Sequence, residues 1–247
     1  MEDGKIYIGT SGWSYKDWKG VYYPEKLKAT DWLTFYAGDF DIVEINSSFY
    51  RLPTRETVEN WTKKVPKDFR FCPKVSRFLT HIKRLKEPEE SMERFFDRFD
   101  PMKKMLGPIL IQLPPNLKFD YDVTEHFFRL LKKKYRKFDF AIEVRHETWM
   151  DNVPLDLMAS YDIAFTISQS GVGFPYSEMV TAKNIYVRFH GPKELYASLY
   201  TDAALRKYAK KFKTWLQEGH DIWVFFNNDW YTYAIQNGRS LKKMMGI

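Results

Sequence analysis

Polar and charged residues recur at the ends of this chain's apolar runs. Glu44 and Asn46 close the run 41–46, Lys74 closes 69–74, and Gln112 lies near the end of 108–113. Glu143 and Arg145 close 138–145, Ser168 closes 163–168, and Arg188 and His190 close 185–190. Asn227 ends 221–227, with Asn228 next. Arginine offers a rigid fork of donors suited to phosphate or carboxylate, and lysine a compact charge. Lys74, Arg145 and Arg188 could therefore hold an anion, while Asn46, Gln112 and Asn227 orient the rest of a ligand. Glu143 and His190 are the candidate catalytic residues, because a histidine titrates near neutral pH and a carboxylate can be tuned toward it.

Other readings of the same residues stay open. Glu44 and Glu143 could neutralise the arginines in an internal ion-pair network, since buried charges need partners. They could instead form the carboxylate pair of a glycoside hydrolase, which needs a separation of about 5–5.5 Å or about 6.5–9.5 Å. The neighbouring cations suit an anion better than a neutral sugar. His190 could equally be a histidine hydrogen-bonded to an adjacent strand. No close-spaced ligand motif such as HExxH occurs, so no metal ligands are assigned and no cofactor is implied. Cys72, inside a strand-like run, reads as a small core residue.

Trp13, Tyr15, Phe49, Tyr50 and Trp149 follow the first, second and fifth apolar runs. They could stack on a flat ligand or close a lid over the core. The basic runs 132–137 and 206–213 read as solvated helix faces, or as a nucleic-acid track if they border the site.

The elements that must position these residues are eight short runs rich in β-branched and aromatic residues. Several are apolar throughout, as strands buried on both faces are. Helical patterns fill most gaps. Thr54 reads as an N-cap, Asp122 and Glu125 as a capping box, and Asp202 opens a helix whose stripe is Leu205, Tyr208, Ala209, Phe212, Trp215 and Leu216. Residues 169–184, with two glycines and a proline, predict an irregular connection between strands 6 and 7. The expected fold is α/β: a single (β/α)8 TIM-type barrel over residues 1–247, with a closed parallel sheet. An open doubly wound sheet is disfavoured, because no GxGxxG or P-loop follows the first run. Strand parity then sends Glu44, Glu143, Arg145, Arg188 and His190 into the barrel. With Lys74 they should surround one pocket at the C-terminal face.

Composition bounds the rest. The chain has 247 residues, 44% hydrophobic and 29% charged, which excludes a wholly disordered chain. No apolar stretch approaches the roughly 18 residues that a membrane helix requires. Met1–Lys5 lack the basic and apolar regions of a signal peptide, and Cys72 is the lone cysteine. A cytoplasmic location follows as an expectation. The net charge of +7 is a mild excess.

Gly9-Thr10-Ser11-Gly12-Trp13-Ser14-Tyr15, Val43-Glu44-Ile45-Asn46-Ser47-Ser48-Phe49-Tyr50 and Gln112-Leu113-Pro114-Pro115 occur in order. Glu143-Val144-Arg145-His146, Val187-Arg188-Phe189-His190-Gly191 and Phe226-Asn227-Asn228 follow. This set closely resembles the DUF72 (YecE-like) family and spans nearly the whole chain. The resemblance implies a TIM-type barrel. It implies no activity, because the family is defined without one. A fold-level analogy to barrel endonucleases acting on abasic DNA would require a cluster of zinc ligands. Only His146 and His190 of the five histidines fall at strand ends, so a trinuclear site is not expected. The leading expectation is an enzyme of hydrolase or lyase type acting on a small, phosphate-bearing anion by acid–base chemistry. The second is a non-catalytic barrel that binds nucleic acid or another ligand. No membrane partner is expected.

Overall fold

The computed structural model describes residues 3–171 and 173–247. The expected runs form β1 (Ile6–Thr10), β2 (Ile42–Ile45), β3 (Arg70–Pro73) and β4 (Ile109–Gln112). They continue as β5 (Phe140–Glu143), β6 (Ala164–Gln169), β7 (Asn184–Phe189) and β8 (Asp221–Phe226). The sheet order is β3-β2-β1-β8-β7-β6-β5-β4, so strands adjacent in sequence are adjacent in space. All the paired strands are parallel. Two isolated parallel bridges, Phe71 to Leu106 and Lys74 to Leu110, join β3 to the β4 side. The Gly107 amide donates to Phe71 O at 2.9 Å and the Val75 amide to Leu110 O at 2.8 Å. The sheet thereby closes as a (β/α)8 barrel, with a thin seam between β3 and β4.

Helices cover the outside. α1 (Trp32–Tyr36) follows β1, and α2 (Ser47–Tyr50) and α3 (Arg55–Thr62) follow β2. α4 (Pro88–Phe99), α5 (Tyr121–Lys134) and α6 (Asn152–Ser160) follow β3, β4 and β5. α7 (Asp202–Gln217) and α8 (Tyr233–Met245) follow β7 and β8. Between β6 and β7 the described residues form no helix, in keeping with the glycine and proline content there. Thr54 caps α3, its hydroxyl accepting from the Thr57 amide at 3.1 Å. The capping box expected at Asp122 is displaced. Asp120 caps α5, accepting from the Val123 amide at 3.1 Å, and Asp122 lies in the first turn. An N-cap side chain must reach the amide three residues on, and for a helix opening at Tyr121 only Asp120 has that offset.

The strand period of two separates two apolar cores. Val43, Phe71, Ile111, Ile142, Ile167, Val187 and Val224 belong to the larger one, shared with the helices. Ile42, Cys72, Leu110, Ala141, Ala164, Tyr186, Trp223 and Phe225 form the smaller one, inside the barrel. Two residues further along the same faces come Glu44, Lys74, Gln112, Glu143, Thr166, Arg188 and Asn227. The interior is apolar at its N-terminal end and polar at its mouth. Among the described residues no helix is long and apolar enough to cross a membrane.

Candidate functional site

At the barrel's polar end, Arg188 lies between two carboxylates. Its Nη1 is 2.6 Å from Glu143 Oε2 and its Nη2 is 2.7 Å from Glu44 Oε1. The second oxygen of Glu44 accepts from Tyr186 Oη at 2.8 Å. The second oxygen of Glu143 meets Arg145 Nη2 at 2.7 Å and His190 Nε2 at 2.9 Å, and also accepts from the Ser168 hydroxyl. Asn227 Nδ2 reaches the other imidazole nitrogen, Nδ1, at 3.1 Å. Every carboxylate oxygen is therefore engaged. Glu44, Glu143 and His190 show no exposure at all.

The charges follow from those contacts. Burial opposes ionisation of Glu143, but Arg145 and Arg188 hold its carboxyl well below the ordinary value. Burial works against the Arg188 cation, and Glu143 and Glu44 raise its pKa all the same. Burial carries His190 down to about 4 despite Glu143, so its imidazole is neutral at pH 7. Lys74 differs. Its Nζ donates to Gln112 Oε1 at 2.6 Å and lies 4.1 Å from the centre of the Phe49 ring. Burial and then Arg188 lower its pKa to about 7.

Above this floor opens a cleft of about 1060 Å³. Lys74, Arg188, Asn46, Gln112, Asn227, Trp13, Tyr15 and Tyr50 line it, all candidates from the sequence. Asn46 donates to Ser11 O at 3.1 Å, and Gln112 Nε2 to Leu113 O at 3.2 Å. Tyr15 Oη donates to Ser11 O at 2.5 Å, and the Trp13 ring meets Trp61 edge-on at 5.3 Å. Glu143, His190 and Arg145 do not line this cleft. The first is ion-paired to Arg188, and the second is hydrogen-bonded to the first. Arg145 opens to a separate depression of about 570 Å³ with His146, and Phe174 covers its guanidinium at 3.3 Å. Trp149 is buried, donating to Leu117 O at 2.8 Å, and is a packing residue. His146 accepts from the Thr148 amide at 3.2 Å and so starts a short turn. Cys72 is buried in the inner core, and burial pushes its thiol well up.

Sequence reasoning missed several cleft residues. His81 enters from Phe78–Ile82, one wide helical turn after β3, and Tyr196 and Trp230 enter from loops after β7 and β8. The signal for His81 was its nearness to Lys74 in sequence, seven residues away on the loop after the same strand. Three buried polar atoms without a hydrogen-bond partner belong to cleft residues: Ser11 Oγ, Asn46 Oδ1 and Arg188 Nε. Among the described residues no three His, Cys, Asp or Glu side chains converge as a metal site would need.

The sequence model of the family described as "Protein of unknown function DUF72" matches residues 7–247. The UPF0759 protein YunF of Bacillus subtilis (strain 168) is 26% identical over 272 aligned positions, covering 98% of this chain and 95% of that protein. The UPF0759 protein YecE of Escherichia coli (strain K12) is 31% identical over 141 positions, 57% of this chain and 48% of that one. Among solved structures, a DUF72 family protein from Thermotoga maritima MSB8 is 31% identical with a TM-score of 0.87, covering 98% of this chain and 100% of that one. A DUF72 family protein from Enterococcus faecalis V583 shares the fold at 21% identity and a TM-score of 0.80, with both chains fully covered.

Proposed function

The chain belongs to the DUF72 family, and we propose that it is an enzyme that binds a small anionic, phosphate- or carboxylate-bearing substrate in the mouth cleft and transfers protons there. One observation carries this reading. Lys74 and Arg188 both line the cleft, and the Lys74 amine is bonded to the amide oxygen of Gln112 rather than to a carboxylate. A largely buried cation without a carboxylate partner gains by receiving an anionic acceptor. An anion supplies several acceptors and adds the negative charge this floor lacks. Among the residues lining the cleft, Lys64, Lys74 and Arg188 face a single carboxylate, Asp229.

The roles divide by depth. Lys74 and Arg188 hold the anion, and Asn46, Gln112 and Asn227 orient it. Trp13, Tyr15 and Tyr50 enclose its uncharged part. Glu143 fixes Arg188 in place, and His190 is bonded to Glu143. The proton carrier at the surface of the cleft is Lys74, whose pKa of about 7 matches neutral operation. The arginine between Glu44 and Glu143 disfavours a glycosidase pair, because neither carboxylate retains an unengaged oxygen to attack or protonate a sugar.

Calorimetric titration with inorganic phosphate tests the reading. Phosphate should bind the wild type, and Lys74→Met and Asn227→Ala should each weaken binding about tenfold, about 1.4 kcal/mol. Absent binding, or binding indifferent to both substitutions, would overturn it.

A further inference from the structure

We propose that Lys74 is a nucleophile that captures a carbonyl carbon of the anionic substrate as an imine. The substrate class is then an oxo acid or a phosphorylated aldehyde or ketone. This rests on the anion-site reading above and names its substrate.

Lys74 is about as buried as a core residue, with 7% exposure, yet it lines the cleft. A lysine buried for structure ion-pairs with a carboxylate. Here the neighbouring carboxylates, Glu44 and Glu143, are engaged with Arg188, Arg145, His190 and Tyr186. The amine is left with the amide oxygen of Gln112 and the face of Phe49. An apolar stem, near-complete burial and neighbouring cations are the setting in which a lysine acts as an uncharged nucleophile. Its pKa of about 7 agrees, since much of it is free amine at neutral pH.

The chemistry balances without a redox partner. The Nζ lone pair adds to the carbonyl carbon, and a proton passes from nitrogen to the former carbonyl oxygen, giving a carbinolamine. The proton still on that nitrogen then passes to the hydroxyl, which leaves as water as the C=N bond forms. His81 is placed to relay the protons. It shares the cleft and stacks edge-on to Phe49 at 5.0 Å, the ring that Lys74 covers. Its Nδ1 is bonded to Thr80 Oγ1 at 2.8 Å, which leaves Nε2 on the far side of the ring. Burial, Lys74 and Arg77 bring its pKa to about 4, so it is a neutral acceptor. Arg188 and Asn227 hold the substrate's anionic end.

Reduction in place tests this. The wild type is incubated with pyruvate, and separately with glyceraldehyde 3-phosphate, in sodium cyanoborohydride at neutral pH, then peptide-mapped by mass spectrometry. At least one probe should label Lys74 about tenfold faster than any exposed lysine. Inorganic phosphate should slow the labelling. Lys74→Arg should lose the adduct while still binding phosphate. If the wild type binds phosphate but neither probe labels Lys74 above the exposed lysines, the imine proposal is overturned and the anion site stands. If phosphate does not bind, the anion-site reading itself has failed.

Discussion

Arg188, near the end of β7, and His190, just past that end, meet the same carboxylate, yet they have opposite protonation demands. Arg188 must be charged, because Glu44 and Glu143 lie on either side of it. His190 must be neutral, because it is fully buried beside Arg188 and Arg145, and its second nitrogen is held by Asn227. Stability should follow pH accordingly. In the unfolded chain His190 takes a proton near 6.5, whereas the folded protein resists until about 4. As pH falls through that window the unfolded chain gains a proton that the native state refuses. Stability therefore drops, by about 3 kcal/mol at most at about 1.36 kcal/mol per pH unit. Glu143 acts in the same sense at lower pH. Its carboxyl is depressed in the fold, so its contribution is present above its ordinary value and lost as pH falls through the folded one. Urea denaturation at pH 7, 5.5 and 4.5 should show this decline, and His190→Asn should flatten the part above pH 4.5. An equally steep profile in that variant would remove His190 from the account.

At the scale of elements, the weak point of the barrel is the seam between β3 and β4. It is held by the Gly107 and Val75 amides rather than by a continuous ladder. A Cβ on Gly107 would lie 2.7 Å from both Cys72 Sγ and a Trp223 ring carbon, atoms of the inner core. Gly107→Ala should therefore overpack the seam and cost about 1–3 kcal/mol, measured by chemical denaturation. Unchanged stability would mean that the seam can widen freely. The strands themselves were legible in the sequence because the period of two is local and each run is bounded by polar residues. The same period placed Glu44, Glu143 and Arg188 on one inner face before any distance was known. Two things were not local. Which cation takes which carboxylate depends on crossing the barrel between residues far apart in sequence, as Glu44 and Arg188 are. The loop contributions depend on backbone turns that leave no signature. Trp230 is followed by Tyr231 and Thr232 at φ of 48° and 64°, a left-handed pair with neither glycine nor asparagine to announce it.

For the whole molecule, the question is whether the charge of +7 reports on the cleft. Lys132, Lys133 and Lys134 form the last turn of α5 and are exposed. Lys207, Lys210, Lys211 and Lys213 of α7 are exposed along its outer face, with Lys211 paired to Glu178. None of these lysines lines the cleft, whereas Lys64, just after α3, and Lys74 do. Nucleic acid should accordingly meet this protein as a diffuse basic surface, separate from the mouth cleft. Affinity for a short DNA duplex, read by fluorescence anisotropy, should be no tighter than ordinary non-specific association. If about six phosphates are neutralised, it should fall about 1,000-fold between about 50 and 200 mM salt, because each releases a counterion. Lys74→Met should leave that binding unchanged, and Lys132→Glu with Lys133→Glu should weaken it. Tight, salt-resistant binding abolished by Lys74→Met would instead bring the polynucleotide into the cleft. The phosphate that Arg188 and Lys74 accept would then belong to a nucleic-acid backbone rather than to a small substrate.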